Sequence, residues 1–134
     1  MKKIVTKKSS TINKIEVPLG QVLFYQTDDG HNRIEVRMEG ETVWLSQLAM
    51  AELFQTTKQN VSLHIKNIFD EKELDRASTV KESLTVQKEG HREVSRRVDF
   101  YNLNVILAVG YRVKSVRGTQ FRQWATERLH EYVI

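Results

Sequence analysis

The chain has 134 residues, 40% of them hydrophobic and 28% charged, enough for one soluble domain with a modest core. It has no cysteine, which excludes disulfides and thiolate metal sites, and no apolar run approaches the ~20 residues that a membrane helix needs. The net charge of +4 and sequence pI of about 9.4 suit an anionic partner without requiring one.

Residues 1–16 are rich in Lys, Ser and Thr and have little periodicity, so a flexible basic tail is expected there. The tail lacks the apolar stretch of a secretory signal, and a cytoplasmic location is expected. Residues 17–134 are expected to form a single α+β domain, entered at the only proline, Pro18. Over 17–45 the pattern is that of a β-meander. Val22, Leu23, Phe24 and Tyr25 are β-formers, and Asp28-Asp29-Gly30 is a strong turn signal. Ile34, Val36 and Met38 then alternate with Arg33, Glu35, Arg37 and Glu39, giving one buried and one wet face. Glu39-Gly40-Glu41 is a second turn, leading into Thr42-Val43-Trp44.

Residues 46–70 read as a helix-turn-helix. Ser46 is positioned to cap a first helix with Leu48, Ala49, Ala51 and Leu53 on its apolar face. Thr57 is positioned to cap a second, whose Val61, Ile65 and Ile68 recur at i, i+4 and i+7. Two features depart from the usual motif. Gln55 stands where glycine is common, and Thr56 replaces an apolar residue, so a longer or differently shaped turn is expected. The acids Asp70, Glu71, Glu73 and Asp75 are poorly matched to the negative end of a helix dipole, which predicts a helix ending before them or continuing past them.

Residues 71–101 are expected to be a polar linker and a β-hairpin, with arms at Leu84–Gln87 and Val94–Tyr101 around a turn at Lys88-Glu89-Gly90-His91. Over 102–134 two helices are predicted. Asn102 would cap the first, which is apolar nearly all round and suits the centre of the core. Gly110 would end it or admit a close backbone neighbour. Ser115 would cap the second, which places Phe121, Trp124, Ala125, Leu129, Tyr132 and Val133 on one side. That stripe runs to the last residue without a C-cap or stop signal, a pattern compatible with an N-terminal piece of a longer chain.

The outward face of the second helix carries Lys58, Gln59, Ser62 and Lys66. Gln can bond adenine bidentately and Ser can donate or accept, so Gln59 and Ser62 are the candidate base contacts. Lys58 and Lys66 are candidate phosphate contacts, since ammonium groups are flexible point charges. The hairpin cations Arg92, Arg96 and Arg97 could reach a phosphate backbone, although alternation sends Arg96 and Arg97 to opposite faces. The bland alternative is an edge hairpin whose charges discourage aggregation. Arg117, in the first turn of the last helix, is a further candidate phosphate contact, against a reading in which Gly118 simply permits close helix packing. His31, His64, His91 and His130 show no metal-ligand spacing, and there is no phosphate-binding glycine loop or nucleophile motif. No metal, cofactor or catalytic activity is expected.

The combination WLSQLAMAELFQTTKQNVSLHIKNIF, a hairpin, and YNLNVILAVGYRVKSVRGTQFRQWATERL resembles the RhuM family of bacterial virulence-associated proteins, from about Phe24 to Ile134. The second piece, the more specific of the two, is also distantly similar to the phage antirepressor (Bro-N) domain. The resemblance implies a DNA-associated role. The expected fold is therefore α+β and winged-helix-like, with an N-terminal meander, a hairpin and two C-terminal helices, and the expected partner is double-stranded DNA. The alternative is a protein-interaction module, either an antitoxin-like partner of a Fic/Doc enzyme or a phage-type antirepressor. That alternative predicts an apolar patch around Leu63, Trp124 and Tyr132. Two-fold operators generally call for a dimer, so a homodimer is among the expected assemblies, although no heptad seam is visible.

Overall fold

The computed structural model describes residues 14–15 and 19–133. In chain order the elements are β1 (Lys14–Ile15), β2 (Gln21–Gln26), β3 (Arg33–Glu39), β4 (Thr42–Ser46), α1 (Gln47–Phe54), α2 (Lys58–Asp70), α3 (Arg76–Thr79), β5 (Val80–Glu89), β6 (Arg92–Asn102), α4 (Leu103–Arg112) and α5 (Arg117–Val133). The strands form one six-stranded sheet in the order β1-β5-β6-β4-β3-β2. All neighbours are antiparallel except β1 and β5. The fold is α+β, with the expected meander, hairpin and C-terminal helices.

Alternation sorts the sheet into two faces. Ile34, Val36 and Met38 of β3, with Tyr25, Val43, Leu45 and Tyr101, turn toward the helices and form the main core. The opposite face holds a smaller cluster of Leu19, Trp44 and Phe100. Gly20, at the entry to β2, lies so close to β3 that an added Cβ would meet the Met38 carbonyl oxygen at 2.2 Å, and its φ is +57°. Only glycine fits there. The helical side of the main core includes Met50, Leu53, Val61, Ile65, Ile68, Val105, Ile106, Val109 and Phe121. Each large aliphatic side chain fully buried there contributes roughly 1.5–3 kcal/mol.

Three of the four caps fall where expected; the exception is Ser115, which stands two residues before the first residue of α5 and accepts from Arg117 N at 3.2 Å. Ser46 Oγ accepts from Ala49 N at 3.1 Å, Thr57 Oγ1 from Asn60 N at 3.0 Å, and Asn102 Oδ1 from Val105 N at 3.3 Å. Val61, Ile65 and Ile68 are buried as the i, i+4, i+7 stripe predicts. Leu48 is not: it is 60% exposed, because Ala49, Met50, Leu53 and Phe54 occupy the face of α1 that meets the core.

Several boundaries differ from expectation. The turn between α1 and α2 is not long; it spans residues 55–57, with Gln55 itself in the left-handed region at φ 55°, ψ 49°. Thr56 N donates to Ala51 O at 2.9 Å, closing α1 with a Schellman bond on a non-glycine residue. The same solution recurs at Lys72 (φ 59°) after α2 and at Lys114 (φ 56°) after α4. The acids after α2 neither stop it early nor lengthen it. It ends at Asp70, which pairs with Lys66 at 2.6 Å, and Arg112 of α4 bridges Glu71 (2.7 Å) and Glu73 (2.9 Å). The polar linker contains the one-turn helix α3, capped by Asp75, and β5 begins at Val80 rather than Leu84. Helix α4 runs past Gly110 to Arg112. Gly110 is there for close approach: an added Cβ would lie 3.0 Å from the Phe54 ring and 3.5 Å from Gly118 Cα.

Of the residues assigned to a flexible tail, Lys14 and Ile15 form the two-residue strand β1 against β5; the rest of residues 1–16, and Ile134, lie outside the described residues. On α5, Phe121 and Ala125 are buried, and Trp124 and Leu129 pack half-buried against the core. The expectations for Tyr132 and Val133 fall outside the described side chains.

Candidate nucleic-acid interface

The packing that buries Val61, Ile65 and Ile68 fixes which face of α2 meets solvent. Lys58, Gln59, Ser62, Leu63 and Lys66 are all exposed. Lys58 opens the helix directly after the Thr57 cap, with no acid in the first turn. Among the described residues, Lys66 is the member of this face with a carboxylate partner, Asp70, a turn away and mostly exposed, so the pair is weak and easily exchanged. Asn60 turns back to donate to Thr56 Oγ1 at 2.9 Å and braces the turn rather than facing outward.

The hairpin of β5 and β6 reverses at Gly90 and His91, with Glu89 opposite Arg92. Gly90 has φ +66° while His91 does not enter the left-handed region, as a II′ turn requires. Arg92 stands exposed at this tip. Arg96 is held by Glu89 in a fork, Nε to Oε2 at 2.9 Å and Nη2 to Oε1 at 2.7 Å. The Arg96 guanidinium in turn holds the Glu89 carboxyl below its ordinary range. Arg97 lies on the other face, 3.9 Å from Glu82. The two strands together carry five Lys or Arg against four Asp or Glu, so the hairpin is close to neutral.

A cleft of about 310 Å³ joins the two elements. Its walls include Ser46, Gln47, Lys58, Arg97, Asp99 and Tyr101, so Lys58 from the start of α2 and Arg97 from the hairpin share one concavity. Gln47 Nε2 donates to the Tyr101 hydroxyl at 3.0 Å across it, and burial pushes the Tyr101 pKa upward. Sequence reasoning missed Gln47 and Tyr101. The alternation that put Tyr101 on the Arg97 side of β6 was the available signal.

Arg117 is a correction. Its side chain is buried rather than presented to solvent. Nη1 donates to Asn32 Oδ1 (3.0 Å) and to the carbonyls of Leu53 (3.0 Å) and Glu52 (3.4 Å), while Nη2 donates to Asp29 Oδ2. Every one of these acceptors belongs to the β2–β3 loop or to the last turn of α1, so both terminal nitrogens of the guanidinium are turned to the protein itself. Asp29 also accepts from the His31 amide (3.0 Å) and the Thr27 hydroxyl (2.7 Å). Arg117 first, then these two, holds the Asp29 carboxyl well below the usual carboxylate range.

The C-terminal charge excess is therefore smaller than a count suggests. Of the eight Arg and Lys from Arg92 to Arg128, Arg117 is buried, Arg112 bridges two carboxylates, Arg96 is in a fork, and Arg128 lies 3.4 Å from Glu131. The apolar patch expected around Leu63 and Trp124 is also reduced. Leu63 is 53% exposed, but Trp124 stacks half-buried on Tyr25 and Phe121. Among the described residues no group of His, Cys, Asp or Glu is placed to hold a metal ion, and no helix is long and apolar enough to cross a membrane.

No curated protein and no solved structure matches the chain. Residues 78–134 match the family described as "Virulence protein RhuM family". The match is shorter than the stretch from about Phe24 that carries the resemblance, and α1 and α2 lie outside it. The segment from the end of α3 through the hairpin and both C-terminal helices is thus the part of the chain that is similar to the RhuM family of virulence proteins.

Proposed function

We propose that this chain is a cytoplasmic, non-catalytic regulatory domain that binds double-stranded DNA, with α2 in the major groove and the β5–β6 hairpin as a wing beside it. The supporting observation is the shared cleft, in which Lys58 of α2 and Arg97 of the hairpin face one concavity. The connectivity agrees with it: β4, α1, α2, β5 and β6 follow in sequence with only the one-turn α3 between α2 and β5, and β6 lies between β4 and β5 in the sheet. This is the strand order of a winged helix-turn-helix. Gln59 and Ser62 supply donors and acceptors for base edges, and Lys58, Lys66, Arg92 and Arg97 supply phosphate contacts. Arg96, like Lys66 beside Asp70 and Arg97 beside Glu82, makes such a contact by exchanging a carboxylate for a phosphate, a trade between exposed partners worth little either way.

Fluorescence anisotropy with labelled duplexes tests the proposal. Affinity should fall steeply with salt, with a log–log slope of about −0.9 per phosphate contact. Lys58→Ala and Lys66→Ala should each weaken binding to all sequences alike and reduce that slope by about one. An absence of binding at about 50 mM salt and micromolar protein, where even non-specific association is captured, would refute the proposal.

A further inference from the structure

The two edges of the sheet differ. On one side β5 is partly covered by the two-residue β1 and continues into the charged hairpin. On the other side β2, Gln21-Val22-Leu23-Phe24-Tyr25-Gln26, pairs only with β3 among the described residues. Nothing in β2 discourages further pairing: it holds no charge, proline or bulge over its six residues. Val22 is 41% exposed and Phe24 50% exposed, and both lie on the face away from the helices. Phe24 is shielded on one side by Arg33, whose guanidinium carbon lies 3.9 Å from the ring centroid.

The hydrogen-bond parity is also informative. Thr27 N donates to Asn32 O at 2.9 Å, so in the register Gln26↔Arg33 through Gln21↔Met38 the odd-numbered residues of β2 face β3. Val22, Phe24 and Gln26 then turn their backbone N–H and C=O outward.

We infer that β2 is a self-association edge, on which a second copy of this chain pairs antiparallel about a two-fold axis at Leu23. In that register each Val22 lies opposite the partner copy's Phe24. Both positions direct N–H and C=O across the axis, and both side chains lie on one face, so the two exposed apolar groups cover each other. A β-branched residue opposite an aromatic is a favourable cross-strand pair. A one-residue slip would set outward-facing groups against inward-facing ones and is excluded by parity. A second copy supplies this match without any other sequence being specified. Six residues make only about 20 Å of edge, so the dimer is small and reversible. The inference uses no DNA contact and stands independently of the proposed function.

Sedimentation equilibrium from about 1 μM to about 1 mM covers the dissociation constants expected of a small interface. The mass should rise from 15.7 kDa toward twice that value. Phe24→Lys places two like charges in the pairing and should shift the midpoint at least tenfold, with an unchanged circular dichroism spectrum and melting temperature. Because the chain has no cysteine, a single one can report the register. Leu23→Cys would bring two Cα atoms to about 4.5 Å in a non-hydrogen-bonded pair, within disulfide range, and should cross-link on mild oxidation. Gln26→Cys, about 20 Å from its counterpart, should not. A mass that stays monomeric throughout, a dimer indifferent to Phe24→Lys, or equal cross-linking of the two cysteine variants would overturn the inference.

Discussion

The outward face of α2 and the first turn of α5 both begin as a cation beside a helix N-terminus. Lys58 and Arg117 are each the first residue of their helix. Lys58 remains exposed, and the cleft it lines opens to solvent next to Arg97. Arg117 is turned inward, where it joins the end of α1 to the β2–β3 loop through four acceptors. The difference comes from what each helix packs on. Helix α2 offers the core a narrow stripe of three aliphatics and leaves the rest of its surface to water. The start of α5 is pressed against α4 at Gly110 and Gly118, which brings the Arg117 side chain over the carbonyl end of α1. That end carries the negative pole of the helix dipole, so a guanidinium there has a partner built into the backbone. A cation in a sequence is therefore a weak guide to an anion site until its partners inside the protein are known.

The most severe way to separate the two is Arg117→Ala. It strands the Leu53 carbonyl, takes one of two donors from the Glu52 carbonyl and leaves Asp29 without its cation, so unfolding free energy should fall by about 3 kcal/mol in urea titrations. Alanine at Lys58 should move it by less than about 0.5 kcal/mol. If both variants are equally stable, the Arg117 socket is not a structural joint. The acid limb of the stability curve gives a second handle. The folded-state pKa of Asp29 is depressed, so its contribution is fully present above the unfolded value of about 4 and is lost as pH falls through the folded value. In Asp29→Asn that part of the acid dependence should disappear, leaving a flatter profile below pH ~4.

Next in size is the effect on sequence choice. Gln59→Ala and Ser62→Ala should each cost about 1–3 kcal/mol of discrimination between the preferred duplex and one changed at the contacted base pair, with little loss on random DNA. Selection of preferred duplexes before and after substitution measures it. Unchanged preferences in both variants would remove these two residues from base reading and leave α2 as a charged docking face.

These two sites also mark what could be read from the chain itself. The α2 face was legible because it depends on local periodicity: three apolar residues at i, i+4 and i+7 decide where Lys58, Gln59, Ser62 and Lys66 point. The caps at Ser46, Thr57 and Asn102 were legible for the same reason, since each acts over three residues. Arg117 was not, because its acceptors lie 64 to 88 residues away and no local pattern announces them. The Glu89 fork on Arg96 was within reach, since a hairpin turn at Gly90 places the two arms side by side. The cleft that unites Lys58 with Arg97 depends on the pairing of β4 with β6, a contact between residues more than fifty positions apart.

The smallest effect tests the turn itself. Gln55 holds a left-handed conformation that crowds Cβ against the backbone, at roughly 1–2 kcal/mol relative to glycine, part of which glycine forfeits through its freer unfolded state. Gln55→Gly should therefore raise stability by up to about 1 kcal/mol and leave DNA affinity unchanged, because the Thr56 N–Ala51 O and Gln55 N–Glu52 O bonds survive the change. Gln55→Val should do the opposite, since a β-branched side chain tolerates that region least. If glycine were instead to weaken DNA binding while stabilising the fold, the angle between α1 and α2 would be set by strain at Gln55. The turn would then count as part of the recognition surface rather than as its support.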